Sequence, residues 1–162
     1  MTRFALVVPF PEAAPVVDVW RERTCLSKPS HGVPAHVTLL VPSPHDEDAL
    51  AGVLRPFPLF DVAFDRLDRF PGTLWLAPEP VQPFRAMIDA LARRFPGHPP
   101  YGGVYGEPVP HLTVAQGDLA AAAEALEQAL PIRTRAEAAV LLEQVRDDRW
   151  REVARIPFEG RE

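Results

Sequence analysis

One pattern, His followed by an aliphatic residue, Thr and a second aliphatic residue, stands twice in the chain. Its copies are His36-Val37-Thr38-Leu39, after Pro34-Ala35, and His111-Leu112-Thr113-Val114, after Pro110. An extended strand turns successive side chains to opposite faces. His36 and Thr38 therefore share one face while Val37 and Leu39 share the other, and His111, Thr113, Leu112 and Val114 repeat the arrangement. A single copy would mean little, because Thr is common in strands. Two copies after prolines, at equivalent places of an apparent repeat, constrain the fold: each strand buries two aliphatics and presents an imidazole beside a hydroxyl. Two such strands facing one another make a symmetric two-histidine cleft.

The rest of the chain supplies the partners such strands need. Phe4 to Val8 is a short apolar run ended by Pro9, the pattern of a buried strand. Pro15 opens a helix running to about Arg23, with Val16, Val17 and Trp20 inward. After the first motif strand, Ser43-Pro44-His45-Asp46 has a capping-box pattern, predicting a helix that buries Leu50, Val53 and Leu54 and stops before Pro56. Phe60, Val62 and Phe64 alternate with Asp61 and Asp65 as in a half-buried strand. Thr73 to Ala77 reads as the next strand after a Pro71-Gly72 turn. Phe84, Met87, Ile88, Leu91 and Phe95 follow helical spacing closely. Residues 96–106 form a Pro, Gly and Tyr-rich loop before the second motif. Asp118 is the expected N-cap of a helix to Leu130, and Ile132–Val145 and Trp150–Phe158 read as two closing strands around an Asp147-Asp148 turn. The order is strand, helix, motif strand, helix, strand, then the same again with one extra strand. This is the sequence of an α+β fold, with residues 1–162 forming one domain of two pseudo-symmetric lobes that meet at the motifs.

Composition narrows the function. A chain of 162 residues with a hydrophobic fraction of 47% has ample material for a packed interior. Its net charge of -5 argues against a general grip on long duplex nucleic acid, which needs many phosphate-neutralising cations. Cys25 stands alone, so no internal disulfide forms and the thiol is expected to be packed. No run approaches the roughly 20 apolar residues that span a bilayer. A soluble, cytoplasmic monomer with no membrane partner is expected.

Histidine is the side chain whose ordinary pKa lets one copy accept a proton while another donates one near neutral pH. Thr adds a short, adjustable hydroxyl donor. Two His and two Thr converging on one point offer a base, an acid and two donors to a tetrahedral anion, which is what phosphodiester chemistry needs. No cofactor or metal is required. His31 and His36 are spaced as a ligand pair, but no third ligand accompanies them, and His45 and His98 add none.

The two motifs resemble those of the 2H phosphoesterase superfamily, the group containing bacterial 2′-5′ RNA ligase-like proteins and cyclic phosphodiesterases, named for two His-x-[Ser/Thr]-x motifs. The resemblance runs over nearly the whole chain. It includes the Phe4–Val8 strand, Phe70-Pro71-Gly72-Thr73-Leu74-Trp75-Leu76, and Pro99-Pro100-Tyr101-Gly102-Gly103 before the second motif. It is greatest with the 2′-5′ RNA ligase-like proteins of high-GC bacteria. It implies a bilobal, pseudo-twofold fold with two mainly antiparallel sheets flanked by helices around a central cleft. It also implies metal-independent hydrolysis of a 2′,3′-cyclic phosphate, on a nucleotide or RNA end, or of a 2′-5′ phosphodiester. By the same analogy His111 activates the attacking water, His36 protonates the leaving ribose oxygen, and Thr38 and Thr113 hold the non-bridging phosphate oxygens. In one respect the chain departs from the pattern. RNA-acting members often carry a basic residue shortly after the second motif, where this chain has Val114-Ala115-Gln116. Gln116 hydrogen-bonds but does not neutralise phosphate, which moves the expected substrate toward a small cyclic phosphate.

Other residues are weighed against plainer roles. Gly102, Gly103 and Gly106 lack the ending of a phosphate-binding P-loop. Tyr101 and Tyr105 on that loop are candidates to stack on a base, against the plainer role of packing the loop. Arg133 and Arg135 share one face of a predicted strand and are candidates to border the cleft. Trp20, Trp75 and Trp150 are expected in the core or between lobes. Two other functions compete with the enzyme: a non-catalytic module binding a nucleotide or RNA end in the same cleft, and a structural protein with its His/Thr pairs buried apart.

Overall fold

The computed structural model describes residues 2–103 and 107–161. Among these, the chain runs β1 (Phe4–Pro9), α1 (Ala14–Thr24), β2 (His36–Leu40), α2 (Glu47–Leu54), β3 (Phe60–Phe70), β4 (Thr73–Glu79), α3 (Gln82–Arg94), β5 (Leu112–Gln116), α4 (Ala120–Ala129), β6 (Ile132–Ala136), β7 (Ala138–Arg146) and β8 (Arg149–Pro157). The strands form two four-stranded sheets, ordered β2-β1-β7-β8 and β5-β4-β3-β6. Every pairing within them is antiparallel. Each motif strand is thus an edge strand, β2 on the first sheet and β5 on the second.

The two halves of the chain are interleaved. β3 ends the first strand–helix repeat but pairs with β4 in the second sheet, and β7 returns to pair with β1 in the first. This corrects the reading of Ile132–Val145 as one strand. It is two strands in different sheets, separated by Glu137 alone, so two extra strands follow the repeat rather than one. The helices also cross over: α1 packs on β5, and α3 packs on β2. Among the described residues no helix is long and apolar enough to cross a membrane.

Local chemistry explains the element ends. Asp46, not Ser43, is the N-cap of α2, its carboxylate accepting from the Ala49 N–H. Ser43 is instead buried beside β1, donating its backbone N–H to the Phe4 carbonyl. Asp118 sits one residue before the assigned cap Leu119 and accepts from the Ala120 N–H at 3.3 Å. In α3 the spacing of Phe84, Met87, Ile88 and Leu91 buries all four on one stripe. Along β1 the alternation is buried on both sides: Phe4, Leu6 and Val8 enter the main core. Ala5 and Val7 join a smaller cluster with Val33, Val140 and Leu142, against which Val41 and Trp150 pack. That second cluster lies on the face shared with His36 and Thr38.

Candidate active site

β2 and β5 lie against each other, and their burial alternates with period two. Val37, Leu39, Leu112 and Val114 are buried, while His36, Thr38 and Thr113 are only partly so. The aliphatic face of each strand is fixed in the core, so the polar face has no choice but to point into the space between the sheets. There His36, Thr38, His111 and Thr113 line one cavity of about 300 Å³, together with Arg21, Tyr101 and Gln116. A second cavity of about 550 Å³ shares Tyr101, His111, Thr113 and Gln116 with it and extends past Phe70, Pro71 and Val109.

Both imidazoles are held by the same device. Nδ1 of His36 lies 2.7 Å from the Pro34 carbonyl, and Nδ1 of His111 lies 2.6 Å from the Val109 carbonyl, in each case two residues back. A carbonyl oxygen only accepts, so both Nδ1 atoms carry hydrogen and both Nε2 atoms are left for proton exchange. The prolines before the motifs therefore do more than mark the turn, because the chain approaching each strand supplies the acceptor that fixes the ring. Burial pushes the His36 pKa down to about 4, with repulsion from Arg21 and His111 adding to it and the bond to Pro34 opposing it. Burial also lowers His111, against the bond to Val109. Phe70 and Trp75 pack edge-on around the His111 ring, at centroid distances of 5.1 and 5.7 Å.

Gln116 is held at one end. Its Oε1 accepts from the Leu26 N–H at 3.0 Å, and its own backbone N–H donates to Thr24 Oγ1. The Nε2 amide is the end left for the cavity. The same segment tucks Cys25 against β5, its buried thiol donating to the Val114 carbonyl, and burial pushes the thiol pKa up.

Two cleft residues escape a reading by pattern. Arg21 is 2% exposed, yet it lines the cavity. Its Nη1 donates to Asp18 Oδ1 at 2.8 Å, and its Nη2 to the carbonyls of Ser27 and Val33 at 3.0 and 2.8 Å. Its place in the helix, four residues after buried Val17, was the available signal. Trp150 also lines the cavity instead of serving only as packing. The loop beside it passes so close that a Cβ on Gly32, whose φ is +86°, would lie 2.0 Å from the Trp150 carbonyl oxygen.

Arg133 and Arg135 are not brought to the cleft. They lie on β6, at the edge of the second sheet opposite β5. Arg133 borders a separate depression with Asp65 and Glu127, and Arg135 Nε is 3.9 Å from Asp61. Tyr105 and Gly106 lie outside the described residues. His31 faces Asp148, and His45 stacks on Phe4 at 4.3 Å, so neither joins the motif histidines. Among the described residues no group of three or more His, Cys, Asp or Glu is placed to hold a metal ion.

The family model of the 2′-5′ RNA ligase superfamily matches residues 9–148. The chain belongs to that superfamily. Among solved structures the fold is similar to Escherichia coli LigT in its apo form, at 18% identity and a TM-score of 0.62, covering 97% of each chain. It is similar as well to E. coli LigT complexed with 3′-AMP, at 18% identity and a TM-score of 0.60 over 97% of this chain and 98% of that one. TT0787 of Thermus thermophilus matches at 16% identity and a TM-score of 0.57, over 99% of this chain and 100% of that one. No curated protein matches by sequence. The superfamily protein described here therefore has the bilobal, two-sheet 2H phosphoesterase fold.

Proposed function

We propose that this 2′-5′ RNA ligase superfamily member is a metal-independent phosphoesterase that hydrolyses a 2′,3′-cyclic phosphate or a 2′-5′ phosphodiester by two-histidine acid/base catalysis. The observation that carries the reading is the matched tethering of His36 and His111, each through Nδ1 to the carbonyl two residues back, on one cavity with Thr38 and Thr113. One Nε2 takes a proton from the attacking water as its oxygen bonds to phosphorus. The other gives a proton to the ribose oxygen as the phosphorus–oxygen bond breaks. Thr38 and Thr113 donate to the non-bridging oxygens, where negative charge grows in the transition state. An anionic phosphate between the imidazoles raises both pKa values toward the working range, offsetting the desolvation that lowers them.

The larger cavity gives the substrate a side. Phe70, Pro71, Tyr101 and Val109 make a mostly apolar wall next to His111, suited to a nucleoside whose phosphate sits between the motifs. LigT structures hold 3′-AMP, ATP and NADP+, ligands of the same small nucleotide class. Gln116 offers an amide donor and no charge, consistent with a small ligand rather than a long polyanion.

The test is turnover of the four 2′,3′-cyclic nucleoside monophosphates and a 2′-5′-linked dinucleotide with a chelator present. Hydrolysis that survives the chelator and falls below detection in His36→Ala and in His111→Ala is the expected result. Substantial turnover by either folded single variant would refute the mechanism. Nucleotide binding without turnover by the intact protein would favour the binding module.

A further inference from the structure

A nucleoside in the larger cavity and its phosphate between the motifs leave most of the smaller cavity uncovered. Strand register shows where that space leads. Pro9 lies opposite His36 and Val7 opposite Thr38. Across the sheet, Val7 faces Val140 and Ala5 faces Leu142. One step further, Gln144 donates its backbone N–H to the Arg3 carbonyl and lies opposite Trp150. Residues two apart on a strand share a face. The face that carries His36 and Thr38 therefore continues over Val7 and Ala5 to Arg3 and, across β7, to Trp150. All six line the cavity of about 300 Å³. Four residues separate Val7 from Arg3, about 13 Å of strand leading away from the motif residues.

The far end of this track has chemistry of its own. Arg3 is exposed, and among the described residues no carboxylate pairs with it. Trp150 is half-buried, packed against the small cluster of Ala5, Val7, Val140 and Leu142. Among the described residues no other ring or guanidinium stacks on it. Its backbone is fixed by the close approach of Gly32. No carboxylate among the described residues lines this cavity, and Arg21 adds a second guanidinium to its wall, whereas Glu107 lines the larger one. A short apolar floor that ends in an open indole and an unpaired cation matches a sugar, a base and a phosphate in turn.

We propose that this face of the first sheet is a second subsite, which binds a nucleotide unit on the far side of the scissile phosphate, its base on Trp150 and its own phosphate at Arg3. This rests on the phosphoesterase reading above and narrows it: the preferred substrate is a diester joining two nucleotide units, because a cyclic mononucleotide fills one side only. An aromatic face holds a base of any sequence by stacking, and a guanidinium matches phosphate oxygens with its fork of N–H donors.

Three probes test it: adenosine 2′,3′-cyclic phosphate, the 2′-5′-linked adenosine dinucleotide, and that dinucleotide with a 3′-phosphate on its second unit. In the wild type kcat/KM should rise in that order, the terminal phosphate adding about fivefold at low salt and less as salt is added. Trp150→Leu keeps an apolar side chain on the cluster without a flat face. It should lower the ratio of kcat/KM on the dinucleotide to that on the cyclic phosphate by about 10-fold or more, and Trp150→Phe should retain most of that ratio. Arg3→Gln should abolish the advantage of the terminal phosphate. A wild type that prefers the cyclic phosphate, a terminal phosphate without effect, or a Trp150→Leu that leaves the ratio unchanged overturns the proposal. If Trp150→Leu does not fold, the exposed change Arg3→Gln decides alone. Turnover of none of the three probes counts against the phosphoesterase reading, and titration calorimetry with the phosphorylated dinucleotide then decides the subsite. Binding weakened about fivefold in Arg3→Gln and about 10-fold in Trp150→Leu upholds it, and equal affinity in all three proteins overturns it.

Discussion

Replacing His36 by Gln should make the protein resist acid better than the wild type. An unfolded histidine takes up its proton near pH 6.5, whereas folded His36 does so only at about 4. Between those values the unfolded chain binds more protons, so lowering the pH favours unfolding. The stability at stake is fully present above about pH 6.5, declines as the pH falls through the window, and has no more to lose below about pH 4. Integrated from about pH 7.5 to about pH 4.5, one such group costs about 2–3 kcal/mol. Gln keeps an amide donor for the Pro34 carbonyl but has no proton to gain. Urea denaturation of both proteins across this range reads the effect, because carboxylates that titrate in both cancel in the difference. The wild-type minus variant stability should fall by about 2–3 kcal/mol from neutral to acid at a constant m-value. Parallel curves for the two proteins would refute the claim that His36 sits neutral and desolvated in the cleft.

Thr38→Val and Thr113→Val keep the shape and burial of each strand while deleting the hydroxyl, so each should lower kcat by about 10²-fold with little change in thermal midpoint. A loss confined to KM would instead assign the hydroxyls to ground-state binding. Gly32→Ala places a methyl group within 2.0 Å of the Trp150 carbonyl oxygen at a φ of +86°. It should cost more than about 2 kcal/mol, read by thermal denaturation, and a neutral result would mean that the loop and β8 separate without penalty.

The cleft was legible because it depends on a period of two. Once Val37, Leu39, Leu112 and Val114 are given to the core, His36, Thr38, His111 and Thr113 have one direction left. What stayed hidden depends on contacts between distant segments. Ile132 to Val145 carries no Gly or Pro to mark the change of sheet, and only Glu137 separates a strand that pairs with β3 from one that pairs with β1. Arg21 has the composition of a surface residue, and the Val33 carbonyl that buries it lies twelve residues away. Arg133 and Arg135 did share a strand, as their alternation suggested, but pairing put that strand at the far edge. Residue type gives a face to point at, whereas sheet order decides what is found there.

The passage of the chain from β6 to β7 through Glu137 has a mechanical meaning. Ala136 ends a strand of one sheet and Ala138 begins a strand of the other, and the Glu137 carbonyl is itself tied to the Phe158 N–H. A joint of one residue leaves no slack, and the packing of α1 on β5 and α3 on β2 ties each motif strand to a helix from the other half of the chain. At that end the two sheets are joined like the fixed end of a gauge. At this joint the chain has no slack to give, so the spacing it imposes between the two sheets is set when the chain folds.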